Sequence, residues 1–184
     1  MPIYRPGDPF VFTSDFDDIR SYGQHGGVDF EAPPGTPIPC AVAGVVVGRG
    51  EHDGYGFTAI VQHDDPTTRH HEYTLYAHMP GLCFIPRIGT QVAQGQAIGV
   101  VGNSGDSSGP HLHFELIWAV ANTWLSVDAP WEGGRLPRHP EWMGRLDPQD
   151  ESNWYGMSVY QAADGAGPVS RPSSSCRMSG IRIP

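Results

Sequence analysis

Residues 109–116 have the sequence GPHLHFEL, and this stretch decides which fold and which kind of site the chain can have. Successive side chains of a β-strand point to opposite faces, so His111 and His113 share one face while Leu112 and Phe114 share the other. The two imidazoles could then hold or flank one metal ion, since neutral imidazole is the commonest nitrogen ligand of zinc. A half-exposed strand with two solvated histidines is the alternative, and the rest of the chain has to decide between them.

The composition indicates an all-β domain with an appendage. The 184 residues are enough for one domain with a proper core and few for two. Glycine and proline are frequent, with 24 and 18 copies, and the apolar segments are short, β-branched and separated by turns. Such a pattern favours short strands over helices, so we predict an all-β fold.

The composition also changes along the chain and divides it into three segments. Residues 1–22 form a polar, turn-rich lead-in, residues 23–118 form the core, and residues 119–184 form an irregular extension and tail rich in Trp, Pro and Gly. The tail has little to bury, so we expect it to contact a partner or to stay mobile. The tryptophans of the extension predict a small satellite core, with a carbohydrate or protein contact surface as the alternative.

Residues 72–79, EYTLYAHM, predict a second strand that carries polar side chains on one face. Strict alternation places Tyr76 and His78 on the same face of that strand. The polar connection before it contains His63, which we expect to be solvated, together with His70 and His71.

The charge of the chain excludes several classes of function. The formal net charge is -9, and every positive side chain is an arginine because the sequence contains no lysine. Binding of nucleic acid or of an anionic membrane by bulk electrostatics is therefore not expected. No apolar stretch approaches the length of a membrane span, and residues 1–15 lack the features of a secretory signal peptide. The cysteines predict unpaired thiols, with a disulfide between Cys40 and Cys83 as the alternative.

A second histidine motif supplies two further candidate ligands. Residues 25–29 have the sequence HGGVD, in which two glycines allow a sharp turn between His25 and Asp29. Apolar residues flank Asp29 in the following strand, so its carboxylate should point away from the core. With His113 as a third ligand, the set leaves one coordination position for water, which is the pattern of a catalytic zinc site.

Several motifs occur together and in one order along residues 23–116, and the chain resembles the lysostaphin-type (LytM-like) zinc metalloendopeptidases. The resemblance implies an antiparallel β-sheet with a groove that holds one zinc ion, and cleavage of peptide bonds in bacterial peptidoglycan. It implies His25, Asp29 and His113 as the metal ligands and His78 and His111 as catalytic histidines that do not bind the metal. The motifs are HGGVDF, APPGTPIPCAVAGVVV, GYG, YAHM, GTQVAQGQAIGVVGNSG and SSGPHLHFEL.

Three further residues are candidates for binding the substrate peptide. Tyr55, Tyr76 and Asn103 could line the groove, since tyrosine offers an apolar face and a hydrogen-bonding tip. Ordinary strand and turn positions are the alternative for all three. Glu115 lies on the same strand face as the histidines and could orient an imidazole, with a structural carboxylate as the alternative.

The chain departs from the family pattern in two places. Phe57 follows GYG where a polar residue is more usual, so one wall of the groove is expected to differ. After residue 116, both VDAP at 127–130 and LDP at 146–148 compete for the usual ending, and residues 131–145 look like an insertion.

The sequence therefore predicts a zinc endopeptidase whose partner is a peptidoglycan peptide. A wall-binding or structural module without activity is the main alternative. A zinc peptidase of the D-alanyl-D-alanine carboxypeptidase or dipeptidase kind is a third, but those sites use a longer His-to-Asp spacing than His25 to Asp29. Without a signal peptide, we expect delivery to the cell wall in a bacteriophage tail, with other virion proteins as partners, or release as a lysin. A secreted enzyme whose signal has been removed is the alternative setting.

Overall fold

The computed structural model describes residues 4–21, 23–63, 70–120, 125, 130–133, 144–154 and 159–162. Thirteen β-strands and two short 3-10 helices occur among them. No helix in these ranges has the length and apolar character needed to cross a bilayer. The strands are β1 (Val11–Ser14), β2 (Ile19–Arg20), β3 (Gly23–Gln24), β4 (Val28–Glu31), β5 (Pro37–Pro39), β6 (Gly44–His52), β7 (Gly56–His63), β8 (His70–Met79), β9 (Gln91–Val92), β10 (Ala97–Val100), β11 (His111–Val120), β12 (Trp131–Glu132) and β13 (Gly144–Leu146), and the 3-10 helices are Leu82–Phe84 and Glu151–Trp154.

Nine of these strands form one large sheet with the order β1-β4-β11-β8-β7-β6-β12, to which β13 is added beside β11 and β9 beside β6. All pairings in it are antiparallel apart from that of β12 with β6. The predicted all-β class and antiparallel sheet are therefore confirmed. The GPHLHFEL stretch opens β11, which lies between β4 and β8 near the middle of the sheet.

The large sheet has a hydrophobic core on each face, and the alternation in β11 shows how they arise. Leu112 and Phe114 belong to the first core, while Ile117 and Ala119 belong to the second. His113 lies between two residues of the first core and therefore points to the opposite face. The predicted alternation of polar and apolar faces in this strand is confirmed.

The alternation predicted for β8 is wrong at its end, because the strand contains a β-bulge. Ala59 of β7 pairs with Tyr76, but Phe57 pairs with Met79, so β8 has one extra residue between the two pairs. His78 sits at this extra position with a φ of 60°. A bulge changes the face to which the following side chains point. Tyr76 therefore points into the first core, and His78 points to the other face.

Two polar residues of β7 and β8 are buried, contrary to expectation. Tyr76 is fully buried, and its hydroxyl accepts a hydrogen bond from the amide of Ala41 at 2.8 Å. His63 is buried as well, with ring nitrogens 3.0 Å from the carbonyl oxygen of Ala43 and 2.8 Å from the Thr74 hydroxyl. The prediction of a solvated His63 is wrong, because the polar connection begins only after it. Only the backbone of His70 and His71 is described.

Residues outside 23–118 also contribute to the sheet and its cores. Tyr4 is fully buried and packs on Phe114 with ring centroids 4.5 Å apart, and Trp154 stacks on the same ring at 6.3 Å. Trp131 belongs to the second core. These two tryptophans join the main cores and do not form the expected satellite core. The three-segment division stays a prediction, although β12 and β13 give the extension more regular structure than expected.

Cys40 is a free, buried thiol, so the alternative disulfide between Cys40 and Cys83 is not present. Cys83 is disulfide-bonded, so the prediction of unpaired thiols is wrong for this residue. Phe57 is partly buried and packs against the first core. The phenylalanine at this position therefore contributes to core packing, and the expected change in the groove wall does not follow from it.

The turn before β4 requires glycine because it passes directly over β11. A Cβ atom on Gly27 would overlap the carbonyl oxygen of Phe114. We expect Gly27→Ala to lower the free energy of unfolding by about 3 kcal/mol, since a backbone atom must move to relieve the overlap. Chemical denaturation of the metal-free protein measures this. Gly109→Ala is the matched control, because its Cβ would meet no atom within 4 Å, and an equal loss in both variants would contradict the explanation.

Candidate metal centre and groove

Three ligand atoms from two distant parts of the chain meet at the end of β11. Asp29 of β4 lies directly opposite His113 in the strand register, and the turn before β4 brings His25 beside them. The Nε2 of His25 is 3.1 Å from Oδ1 of Asp29 and 3.0 Å from Nδ1 of His113. The Nδ1 of His113 is 3.0 Å from the same Asp29 oxygen. All three side chains are buried. The three predicted ligands are therefore brought together.

Contacts outside this triangle determine which ring nitrogen faces it. The Nδ1 of His25 is 2.7 Å from the carbonyl oxygen of Asp15, which can only accept a hydrogen bond. The Nε2 of His113 is 3.0 Å from Oε1 of Glu115, a carboxylate. Each ring thus donates outward, and the nitrogen facing the triangle carries a lone pair. Three acceptors then face one another, an arrangement that a proton or a metal cation between them stabilises.

The donor set fits a zinc ion. Two imidazole nitrogens and a carboxylate oxygen are the ligands found in catalytic zinc sites with one open position. Tetrahedral ligands about 2.0–2.1 Å from one ion lie about 3.3 Å from each other. The observed separations of 3.0–3.1 Å are close to that value.

The pKa values at this centre reflect the same need for positive charge. Burial alone would lower the pKa of His113, but hydrogen bonds to Asp29 and Glu115 raise it to about 9. Burial alone would raise the pKa of Asp29, but contacts with His113 and His25 bring it well below its ordinary value. A proton therefore takes the place of the cation when no metal is bound, and metal binding has to displace it.

Arg20 is a contact of the candidate metal ligand Asp29 that the sequence did not predict. Its Nη2 donates to Oδ2 of Asp29 at 3.1 Å, which leaves Oδ1 to face the two histidines. The Arg20 side chain is about 29% exposed at the wall of the groove. No motif marked this arginine, because it belongs to the lead-in and reaches Asp29 only through the fold.

We expect Arg20→Gln to weaken zinc binding about tenfold, since outer partners of metal ligands typically contribute 10–100-fold and this one is partly solvated. Competition with a chromophoric chelator measures the affinity. Arg87→Gln is the matched control, because Arg87 is exposed. Equal affinities of Arg20→Gln and the control protein would show that Arg20 does not orient Asp29.

The two predicted catalytic histidines lie beside the metal centre and do not belong to it. The rings of His78 and His111 are 4.5 Å apart, and His78 is 5.9 Å from the ring of His113. Each uses Nδ1 on a backbone carbonyl, that of Ser104 at 2.7 Å for His78 and that of Gly109 at 2.8 Å for His111. Each Nε2 therefore carries the lone pair.

His78 is held neutral by its surroundings. Burial, together with the nearby His111 and His113, lowers the pKa of His78 to about 4. A neutral imidazole with a lone pair on Nε2 can accept a proton at neutral pH. The positive φ of His78, which is uncommon for a residue other than glycine, follows from the bulge that turns this side chain toward His111.

The metal centre and both histidines line a groove of about 620 Å³. Its walls come from the lead-in, from the beginning of β4 and β11, and from the loop that precedes β11. The described residues that line it are Thr13, Ser14, Arg20, Ser21, His25, Asp29, Glu31, His78, Asp106, Ser108, Gly109, Pro110, His111 and His113.

None of the three predicted substrate-binding residues is among those that line this groove. Tyr76 is fully buried in the first core, so the prediction that it contacts substrate is wrong. The ring of Tyr55 is 5.5 Å from that of His113, but its hydroxyl donates to Glu115 at 2.6 Å, behind the metal centre. Asn103 is exposed on the loop before β11, and its role stays a prediction.

Glu115 contacts the ring of His113 and orients it, which is one of the two roles that the sequence predicted for this residue. It is fully buried, and its Oε2 accepts a hydrogen bond from Nε of Arg145 at 2.9 Å. Burial would raise the pKa of Glu115, but the bond with His113 and the charge of Arg145 lower it to about 2. No motif in the sequence indicated Arg145, which lies at the end of the suspected insertion.

Comparison with known proteins identifies relatives of this arrangement. Residues 23–124 match Peptidase family M23. The chain is 36% identical over 120 residues to the peptidoglycan DD-endopeptidase ShyA of Vibrio cholerae, covering 62% of this chain and 26% of ShyA. It spans about a quarter or less of the length of the curated relatives it matches.

Two solved structures are also similar. One is the catalytic domain of EnpA, a prophage-encoded M23 protein of Enterococcus faecalis, with 29% identity, a TM-score of 0.57 and coverage of 80% of this chain and 97% of that domain. The other is a zinc-containing peptidase of Vibrio cholerae, with 27% identity, a TM-score of 0.54 and coverage of 62% and 36%. These similarities confirm the resemblance to lysostaphin-type peptidases.

Proposed function

Because the chain belongs to Peptidase family M23, we propose that it is a zinc-dependent endopeptidase that hydrolyses peptide bonds in bacterial peptidoglycan. The observation that carries the proposal is the convergence of three acceptors, on His25, Asp29 and His113, at 3.0–3.1 Å from each other. Two further histidines stand beside them at the floor of an open groove. A module that only bound cell walls would need neither feature.

In the proposed reaction, His25, Asp29 and His113 hold the zinc ion. A zinc ion held there would supply an activated water and would polarise the carbonyl of the peptide bond. His78, neutral at pH 7, accepts a proton at Nε2. His111 lies two residues from His113 on the same strand face and, once protonated at Nε2, donates to the oxygen on which negative charge develops.

Peptidoglycan as the substrate is supported by the relatives and by the shape of the site. ShyA is described as a peptidoglycan DD-endopeptidase. The groove is open to solvent, as an extended peptide substrate requires, whereas the proposed metal ligands themselves are buried. A stem peptide or cross-link laid along the groove brings one of its amide bonds next to the Nε2 atoms of His78 and His111.

Incubation of the purified chain with peptidoglycan of several chemotypes tests the proposal. We expect soluble muropeptides to be released, the release to stop with a chelator, and one equivalent of zinc to restore it. Mass spectrometry of the products identifies the bond that is cut. Release that a chelator does not affect would contradict the zinc mechanism. A protein that binds zinc and walls of every chemotype without cutting any would instead be a wall-binding module.

The setting in a bacteriophage tail or as a lysin stays a prediction, as does the secreted alternative. Proteomic analysis of purified virions tests the tail setting, for which the polypeptide must be present in the particle.

A further inference from the structure

A buried carboxylate lies directly behind the metal ligand His113. Glu115 is two residues further along β11, on the same face, and no part of it is exposed. Its Oε1 is 3.0 Å from Nε2 of His113 and accepts a hydrogen bond from the Tyr55 hydroxyl at 2.6 Å. A fully buried charge is very unfavourable unless it is paired and hydrogen-bonded. The positive charge that pairs with Glu115 therefore affects the position of His113.

That positive charge comes from outside the residues that match the family. Arg145 donates through Nε to Oε2 of Glu115 at 2.9 Å and through Nη2 to the Tyr55 hydroxyl at 2.6 Å. The guanidinium thus fixes both neighbours at once and leaves Oε1 aimed at His113. The match to Peptidase family M23 ends at residue 124, twenty-one residues earlier.

Two features of the fold hold Arg145 in this place. Strand β13 pairs with β11, with Arg145 opposite Ile117 and Leu146 opposite Leu116, so its backbone is tied to the strand that carries Glu115. The side chain then crosses over Gly26. A Cβ atom there would lie 2.5 Å from Cδ and 2.6 Å from Nε of Arg145. The first glycine of the HGG motif therefore leaves space for this arginine beside the ligand His25.

We propose that Arg145 is a positioning residue of the metal centre, which fixes Glu115 and Tyr55 and through them the ring of His113 that faces the metal. The segment after residue 118 then supplies part of the metal centre and is not an appendage to it. This inference rests on the metal site of the proposed function and does not depend on which bond is cut.

Metal affinity tests the proposal directly. We expect Arg145→Gln to weaken binding of Zn²⁺ and Co²⁺ about tenfold or more, within the usual 10–100-fold range for partners of metal ligands. The visible spectrum of the Co²⁺ protein should change, since the geometry of the ligands sets it. Arg145→Lys keeps the charge without the two-point contact and should lie between Arg145→Gln and the unmodified protein. Arg87→Gln is the matched control, as an exposed arginine away from the site.

A double-mutant cycle shows whether Arg145 acts through Glu115. In the Glu115→Gln protein, we expect Arg145→Gln to change the metal affinity less than about twofold, because the negative charge that Arg145 compensates is then absent. An undiminished effect would overturn the proposal. So would unchanged affinity and an unchanged Co²⁺ spectrum in Arg145→Gln, accompanied only by a lower melting temperature, because this would show a purely structural role.

Gly26→Ala provides a second variant that keeps the arginine. It displaces Arg145 and should weaken metal binding in the same direction as Arg145→Gln, whereas full affinity would count against the proposal. The outcome of these metal-binding tests is independent of the test of the proposed function. A chain that binds metal in an Arg145-dependent way but releases no muropeptides would refute the peptidase activity and leave this inference in place.

Discussion

We expect His113→Ala to abolish the release of muropeptides and to weaken zinc binding by more than about 100-fold. Loss of an outer partner of a metal ligand costs up to about 100-fold, and here a proposed ligand itself is lost. His113 contributes one of three ligand atoms that lie 3.0–3.1 Å apart. Two remaining ligands do not hold zinc against water at the same affinity. Equilibrium competition with a chelator measures the affinity, and chromatography of digested walls measures the activity.

Asp29→Asn tests the same site with little change in volume. It keeps a carbonyl oxygen in place but removes the negative charge, so zinc binding should weaken and activity should fall with it. The matched control for His113→Ala is His111→Ala. It also removes an imidazole from β11, two residues away on the same face, and should keep zinc. Full activity in either ligand variant would refute the zinc site.

Replacement of His78 or His111 by alanine should lower kcat by about 10²–10⁴-fold, the usual contribution of a general acid or base. Zinc stoichiometry should stay at one per chain, because neither ring belongs to the ligand triangle. The two measurements together separate proton transfer from metal binding. A variant that lost zinc and activity in parallel would assign that histidine to the metal site.

The pH dependence gives an independent check of His78. Its pKa is lowered to about 4, so the ring is neutral at every pH well above that value. Its ability to accept a proton is therefore present at pH 5–8 and is lost only as the pH falls toward 4. A loss of kcat between pH 7 and pH 6 that disappeared in His78→Gln would contradict a neutral His78.

Local patterns were sufficient to predict much of this molecule. Alternation along β11 placed His113 on one face and Phe114 on the other, and the structure agrees. The spacing in HGGVD and the order of the motifs predicted three candidate ligands, and their side chains meet at one point. These features depend on strand period and on turn residues, which are properties of neighbouring residues in the chain.

The predictions that were wrong fail for a shared physical reason. Tyr76 was expected at the groove because strict alternation pairs it with His78. A single extra residue in β8 breaks that alternation and sends Tyr76 into the core. His63 was expected in solvent, yet its ring is buried and contacts the hydroxyl of Thr74 and a backbone carbonyl. Bulges and buried polar contacts depend on the partner strand, which local sequence does not specify.

The sequence by itself determined the class of fold, the three candidate ligands and the two neighbouring histidines, because each belongs to a short motif with its own period or turn. Only the tertiary structure decided which side chains surround them. Arg20 and Arg145 lie before and after the motifs in the chain. Arg20 reaches Asp29 from β2, which pairs with β3 just before β4, and Arg145 reaches Glu115 because β13 pairs with β11 across a long separation. A buried or half-buried carboxylate needs a positive partner, but nothing in the local sequence says which distant arginine the folded sheet will bring to it.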